Sequence, residues 1–129
     1  QPFCLLPFAY PVVRDDKRVS GPLWTGPLFD SQVLASMTVE RATELCGEDA
    51  EPAVRHWVSE ANLADTPSLI MTDMLPKYCD VDGPPRIIKL VAGLQAAGFR
   101  AAIARWGAPA IRTDAPWPVV LKATEACFD

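Results

Sequence analysis

The sequence has 129 residues, which is enough for one compact domain but not for a cofactor-binding fold together with a separate recognition module. Half of the residues are hydrophobic and 22% are charged, so the chain can bury a core and is not typical of a disordered protein. The formal net charge of −4 argues against a general nucleic-acid binder as long as the chain is taken as a whole.

The first thirty residues are rich in prolines and apolar side chains. The apolar stretch from Phe3 to Val13 is interrupted by Pro7 and Pro11, which cannot donate to a strand ladder, so it predicts short or edge strands. The stretch from Gly21 to Phe29 alternates turn formers with large apolar residues and predicts a loop packed by its own side chains. Asp30 is a candidate helix N-cap.

Three helices are predicted next. Apolar residues recur at helical spacing from Ser31 to Cys46, and Gly47 is a plausible stop. A second amphipathic pattern predicts a helix from about Glu51 to Leu63. Asp65 and the two residues after it are typical of a helix entry, which predicts a third helix from Ser68 to Tyr78.

A helix and a β-hairpin follow. Two prolines open a predicted helix over Arg86–Ala97, and Gly98 is its expected left-handed cap. Alternating residues predict a half-buried strand over Phe99–Trp106, and a turn leads into a return strand over Ala110–Thr113. We therefore expect a hairpin after this helix.

Asp114 is predicted to cap a last helix that runs to about Cys127. The whole pattern indicates an α+β, predominantly helical fold. We expect a proline-rich strand and loop region with two helices over residues 1–65, and a winged-helix-like basic module over residues 66–129. In such a module the helix and the hairpin can reach a nucleic-acid backbone together.

The net charge hides an asymmetry between two parts of the chain. Residues 1–82 carry −7, whereas residues 83–129 carry +3, and together they give the overall −4. Phosphates attract a basic cluster of this kind through counterion release. An ordinarily solvated charged surface is the open alternative. The basic part contains six cations: Arg86, Lys89, Arg100, Arg105, Arg112 and Lys122.

Little in the sequence indicates catalysis, a metal or a membrane. The four cysteines lie far apart and form no Cys-x-x-Cys pair, so we expect no zinc site and a reducing compartment. His56 is the single histidine, and a surface or packing role is favoured for it. No apolar run of about 18 residues exists, and no signal peptide is indicated. A first residue other than Met is typical of a processed chain or an excised domain.

Two stretches carry a family resemblance. The first runs from Gly21 to Asp30 and contains a Gly-Pro-Leu-Trp-Thr-Gly motif. The second runs from Pro84, through the glycine and aromatic residue at Gly98, to a Thr-Asp-Ala-Pro turn ending at Pro116. In this order and spacing they resemble the C-terminal half of tRNA guanine-26 N2-dimethyltransferases.

The resemblance implies that S-adenosylmethionine binds in a separate N-terminal Rossmann-like domain of the full enzyme, and that this part helps to hold tRNA in the cytoplasm. The chain itself has no glycine-rich cofactor turn and no recognisable catalytic motif, so no cofactor is expected within it. The segment Asp114–Trp117 is similar to a catalytic motif, but helix capping is the favoured role. Paired cysteines of some family members are missing here, where only Cys4 precedes the first motif, so zinc is doubtful.

The function predicted from the sequence is tRNA binding beside a catalytic methyltransferase domain of the same enzyme, without a membrane. Two alternatives remain: a docking domain without autonomous RNA binding, and a winged-helix DNA-binding module. Predicted anchors for docking are Trp24, Leu28 and Phe29. Predicted contacts to nucleic acid are Arg86, Lys89, Arg100, Arg105, Trp106, Arg112 and Lys122, with Trp106 placed to stack on an unpaired base.

Overall fold

The structure is a computed structural model, and it describes residues 26–66, 69–105 and 108–129. The strands predicted within residues 3–13 lie outside these ranges, as do Trp24 and Trp106. Arg105 is described by its position in a strand and not by its side chain.

The described residues form five α-helices, three strands and short 3-10 segments, an α+β fold that is predominantly helical, as predicted. The helices are α1 (Ser31–Ser36), α2 (Val39–Cys46), α3 (Glu51–Ser59), α4 (Ile87–Ala96) and α5 (Trp117–Ala126). The strands are β1 (Ile70–Met71), β2 (Ala101–Arg105) and β3 (Pro109–Thr113). The 3-10 segments are Glu48–Ala50, Ala61–Leu63 and Thr72–Lys77.

The helix predicted over residues 31–46 is two helices. Asp30 caps α1 as expected, since its Oδ1 accepts from the N–H groups of Gln32 and Val33 at 2.9 and 3.0 Å. The chain then becomes extended at Met37, and the hydroxyl of Thr38 accepts from the N–H of Arg41 as the cap of α2. This second cap offers the backbone an alternative to a continuous helix, which explains the break.

The helix predicted over residues 68–78 is wrong within the described residues. Ile70 and Met71 form β1, and the residues after them form a 3-10 segment that contains Pro76. Ile70 is buried and pairs with Ile111 of β3, so tertiary pairing overrides the helical spacing. Pro76 has no N–H to donate to a longer helix.

The predicted hairpin is present and belongs to a three-stranded antiparallel sheet of order β1-β3-β2. Ile103 pairs with Ile111 at the centre of the hairpin. Gly98 has a φ of 90°, which allows α4 to end in a left-handed residue and turn directly into β2. Gly47, with a φ of 83°, ends α2 in the same region of φ.

The predicted capping role of Asp114 is wrong. Helix α5 begins at Trp117 after Pro116, and no side chain caps it. The carboxylate of Asp114 instead accepts from the backbone N–H of Arg100 at 2.9 Å and pairs with its guanidinium. It therefore joins the two ends of the hairpin.

The sheet lies between two helical layers. Helices α4 and α5 pack on one face, where Leu90, Leu94, Ile111 and Val120 form a fully buried core. Helix α3 packs against β2 from the other side through the buried Val54. Both faces of β2 are covered, so Ala102 and Ala104 are buried although a half-exposed strand was predicted.

Leu94→Ala should lower the free energy of unfolding by about 2–5 kcal/mol, because it leaves a cavity in the α4 face of the core. Leu94 is 0% exposed. The matched control is Leu45→Ala in α2, because Leu45 is 71% exposed and its truncation removes little buried surface. Urea unfolding of both variants measures the difference, and equal losses would contradict the core described here.

Candidate nucleic-acid interface

Helix α4 begins with two predicted RNA contacts. Arg86 is the N-cap of α4, its side chain is exposed, and it makes no side-chain cap. The first turn of α4 contains no acidic residue, and Lys89 lies one turn after Arg86. The positive end of the helix dipole and two cations therefore coincide at this point of the surface.

Lys89 also connects two helices. Its Nζ donates to the carbonyl oxygen of Cys127 at 2.6 Å, immediately after α5 ends. A cation at the carboxyl end of a helix complements its dipole, so Lys89 stabilises α5 while it keeps a positive charge at the surface. Burial raises the pKa of the Cys127 thiol, and the charge of Lys89 opposes this shift.

Lys122 lies on the outer side of α5, away from the buried Val120 and Thr124. Neither Lys122 nor Arg86 forms an ion pair or a side-chain hydrogen bond with any of the residues that the structure describes. Their charges are therefore available to a partner.

Arg100 is held by two carboxylates. Its Nε donates to Asp114 at 2.9 Å, and its Nη1 lies 3.3 Å from a carboxylate oxygen of Asp65. Hydrogen bonds from Arg100 lower the pKa of both carboxyls, and the hydrogen bonds to Asp114 and then Asp65 raise the pKa of Arg100. Its Nη1 also donates to the carbonyl oxygen of Asn62. The hydrogen bonds to Asn62 and Asp65 thus hold the guanidinium against the turn after α3.

Arg112 lies largely inside the protein. Its Nε donates to Glu60 at 2.9 Å, and the two side chains are only 12% and 9% exposed. Its Nη1 donates to the carbonyl oxygen of Thr66 at 3.2 Å. The sequence did not predict that Arg112 pairs with Glu60 or that Arg100 pairs with Asp65, although both acids follow α3 in the sequence. The prediction that Arg112 and Arg100 contact tRNA stays a prediction.

The other predicted contacts are only partly described. Arg105 ends β2 opposite Pro109, and Trp106 lies outside the described ranges. Of the predicted docking anchors, Leu28 is 38% exposed, Phe29 is partly buried, and Trp24 is outside the described ranges. The N–H of Leu28 donates to the carbonyl oxygen of Ala64 at 2.6 Å, which ties this segment to the turn after α3.

The sheet of the described residues is antiparallel, and the connections from β1 and β3 to the helical segments after them contain no glycine, whereas a Rossmann-type site has a glycine-rich turn after a strand. Over residues 26–66, 69–105 and 108–129, no group of three His, Cys, Asp or Glu side chains could hold a metal ion. None of the helices in this part of the chain is long and apolar enough to cross a membrane.

The fold and the surface define an α+β domain with exposed cations at the start of α4 and on α5, and with an ion-paired layer around α3. A family-level sequence comparison matches residues 10–125 to the N2,N2-dimethylguanosine tRNA methyltransferases. The chain belongs to this family. This agrees with the resemblance noted in the sequence.

Individual relatives are similar over most of the chain. The tRNA (guanine(26)-N(2))-dimethyltransferases of Schizosaccharomyces pombe and Methanoculleus marisnigri are each 34% identical over 79% of the chain. The mitochondrial tRNA (guanine(26)-N(2))-dimethyltransferase of Saccharomyces cerevisiae is 22% identical over 86% of it. The chain spans only 19–27% of the length of these relatives. No solved structure shows significant similarity to it.

Arg112→Ala should lower the free energy of unfolding by about 3–5 kcal/mol, because it leaves the buried carboxylate of Glu60 without its partner. The matched control is Arg55→Ala, which breaks an ion pair with Glu51 whose side chains are 65% and 38% exposed. This control should cost at most about 1 kcal/mol. Urea unfolding distinguishes the two, and a small loss in Arg112→Ala would contradict a structural role for this arginine.

Asp114→Asn should destabilise the protein at neutral pH and not in strong acid. The pKa of Asp114 is lowered by folding, so its contribution is present above the unfolded pKa and is lost as the pH falls through the folded pKa. The loss at neutral pH is at most about 1 kcal/mol, because solvent screens this half-exposed pair. Unfolding measured at about pH 7 and about pH 2 tests this. An equal loss of stability in Asp114→Asn at both pH values would contradict the charged pair between Asp114 and Arg100.

Proposed function

We propose that this chain is the tRNA-contacting C-terminal part of an S-adenosylmethionine-dependent tRNA guanine N2-dimethyltransferase. In this proposal it positions tRNA, whereas a separate catalytic domain of the same polypeptide binds the cofactor and transfers the methyl group. The cationic face of α4 and α5, formed by Arg86, Lys89 and Lys122, is the RNA contact surface. Family membership and the small share of the relatives' length support this division of labour.

The observation that carries the proposal is which cations already have a carboxylate partner and which do not. Arg100 and Arg112 are bound to carboxylates of Asp65, Asp114 and Glu60, so a phosphate would have to displace an existing partner. Arg86 and Lys122 have no such partner within the described ranges. Binding of an RNA phosphate at these two cations displaces no existing ion pair, and Arg86 also lies at the positive end of the α4 dipole.

The order of elements also supports the proposal. The segment from β1 through the 3-10 segment, α4 and the β2–β3 hairpin is compatible with a winged-helix-like module. In helix-turn-helix modules the second helix faces the nucleic acid, and the proposal gives α4 that role. Recognition of folded tRNA through shape and backbone suits such a surface.

A docking role is the second candidate function. Among the described residues, Val33, Leu45 and Trp57 on α1, α2 and α3 are 56%, 71% and 47% exposed, and α2 buries none of its residues. Exposed apolar side chains of this kind are suited to contact another protein surface. In this candidate the N-terminal helices attach the chain to the catalytic domain, without autonomous RNA binding.

Arg86→Ala combined with Lys122→Ala should weaken binding to folded tRNA and reduce its salt dependence. Each lost phosphate contact lowers the slope of log K against log salt by about 1. Binding is measured by filter retention or anisotropy between about 50 and 200 mM salt. A duplex DNA of similar length is the competitor, and equal affinity for DNA would favour the DNA-binding alternative.

The matched control is Arg41→Ala combined with Arg55→Ala, which removes the same charge from the α2 and α3 side of the molecule. We expect this control variant to keep the slope of log K against log salt for tRNA binding. If the two double variants behave alike, only the net charge matters and the proposed surface is wrong. If the protein does not bind tRNA at low salt, the docking role replaces the proposal.

A further inference from the structure

A cleft of about 370 Å³ opens where the two helical layers meet at the start of β2. Its volume is within the range of small-molecule sites, roughly 300–1,000 Å³. The cleft is lined by Ser59, Asn62, Leu63, Gln95, Arg100, Ala101 and Ala102. The family comparison and the proposed contact surface assign no role to it.

The walls of the cleft are held in place by hydrogen bonds. Arg100 donates to the carbonyl oxygen of Asn62 and to Asp114, so the turn after α3 is fixed against the hairpin. Gln95 of α4 donates from Nε2 to the carbonyl oxygen of Ala101 at 2.9 Å, which fixes the opposite wall. The cleft is therefore formed before any ligand arrives.

The polar groups at the rim suit a neutral ligand with donor and acceptor edges. With its Nε2 engaged, Gln95 still presents Oε1 as an acceptor. The side-chain amide of Asn62 forms no hydrogen bond with the rest of the described chain, so it offers both a donor and an acceptor. Asn and Gln amides pair with the edge of adenine in nucleic-acid recognition.

The charge and the floor of the cleft favour a base over a phosphate. Arg100 is the charged residue among those that line the cleft, and its guanidinium is already paired with Asp65 and Asp114, which lie outside the lining. A phosphate would have to displace these carboxylates to bind Arg100. The lining also includes the buried Leu63 and the small Ala102, which give it an apolar part without large side chains. An uncharged planar ring can lie on such a surface.

We propose that this cleft receives a single unpaired nucleobase of the bound RNA, between the amides of Asn62 and Gln95. The proposal rests on the proposed function, because it assumes RNA at the cationic face. Gln95 lies nine residues after Arg86, which is roughly 14 Å along the axis of α4 at 1.5 Å per residue and roughly two and a half turns at 3.6 residues per turn. The two side chains therefore leave opposite sides of the helix, and an RNA strand that contacts both passes around α4.

The first test titrates the unsubstituted protein with adenosine 5′-monophosphate, whose base edge can pair with the Asn and Gln amides, and, separately, with ribose 5-phosphate, which lacks only the base. The side-chain amide signals of Asn62 and Gln95 in ¹H–¹⁵N NMR spectra should shift with the nucleotide and not with the sugar phosphate. No shift with the nucleotide, or equal shifts with both, would overturn the proposal.

The second test blocks the cleft with Ser59→Phe. Ser59 ends α3, and its hydroxyl donates to the carbonyl oxygen of His56 at 2.7 Å. The control is Ser36→Phe, since Ser36 ends α1, is also exposed, and donates to the carbonyl oxygen of Val33 at 2.7 Å. Blocking should weaken tRNA binding by about tenfold, equal to about 1.4 kcal/mol, without changing the salt slope.

The outcomes separate this inference from the proposed function. If Ser59→Phe and Ser36→Phe bind tRNA equally well while Arg86→Ala with Lys122→Ala reduces the salt slope, the cleft proposal alone is wrong. If the protein does not bind tRNA, both are wrong. If Ser59→Phe fails to fold, as judged by its thermal unfolding, the nucleotide titration of the unsubstituted protein decides the question.

Discussion

The ion pair between Arg112 and Glu60 links the hairpin to the end of α3, and the arrangement of the N-terminal helices depends on it. Both side chains are nearly buried, and Arg112 also donates to the backbone at Thr66. Arg100 forms a second, more exposed link to the same turn through Asp65. A charged pair in the interior is stable only when its hydrogen bonds are complete, so these contacts fix one position for α3 on the sheet.

The ion pairs that hold α3 against the sheet also determine which cations remain available to contact a partner. The basic part of the sequence contains six cations, but two of them pair with acids from the acidic part, Arg100 with Asp65 and Arg112 with Glu60. These ion pairs therefore neutralise part of the positive charge that the sequence places after residue 82. Among the side chains that the structure describes, the remaining cations of this part lie around the start of α4 and on the outer side of α5, where Lys89 also completes the end of α5.

Several elements were predictable because their causes are local. Asp30 as a cap, Gly98 as a left-handed helix end, α4 and the hairpin all follow from side-chain chemistry within a few residues. The helix predicted over residues 68–78 was wrong because Ile70 pairs with a strand about forty residues later, which no local pattern reveals. The role of Asp114 was wrong for the same reason, since its partner Arg100 is brought close by the hairpin.

The sequence by itself determined the α+β class, the family and the segment that carries the positive charge, because composition, motifs and local spacing encode these properties directly. Only the tertiary structure decided which arginines are free and where the cleft lies. Ion pairs such as Arg112 with Glu60 join residues 52 positions apart in the chain. The cleft likewise combines the end of α3, the end of α4 and the start of β2, and such proximity exists only after the layers have packed.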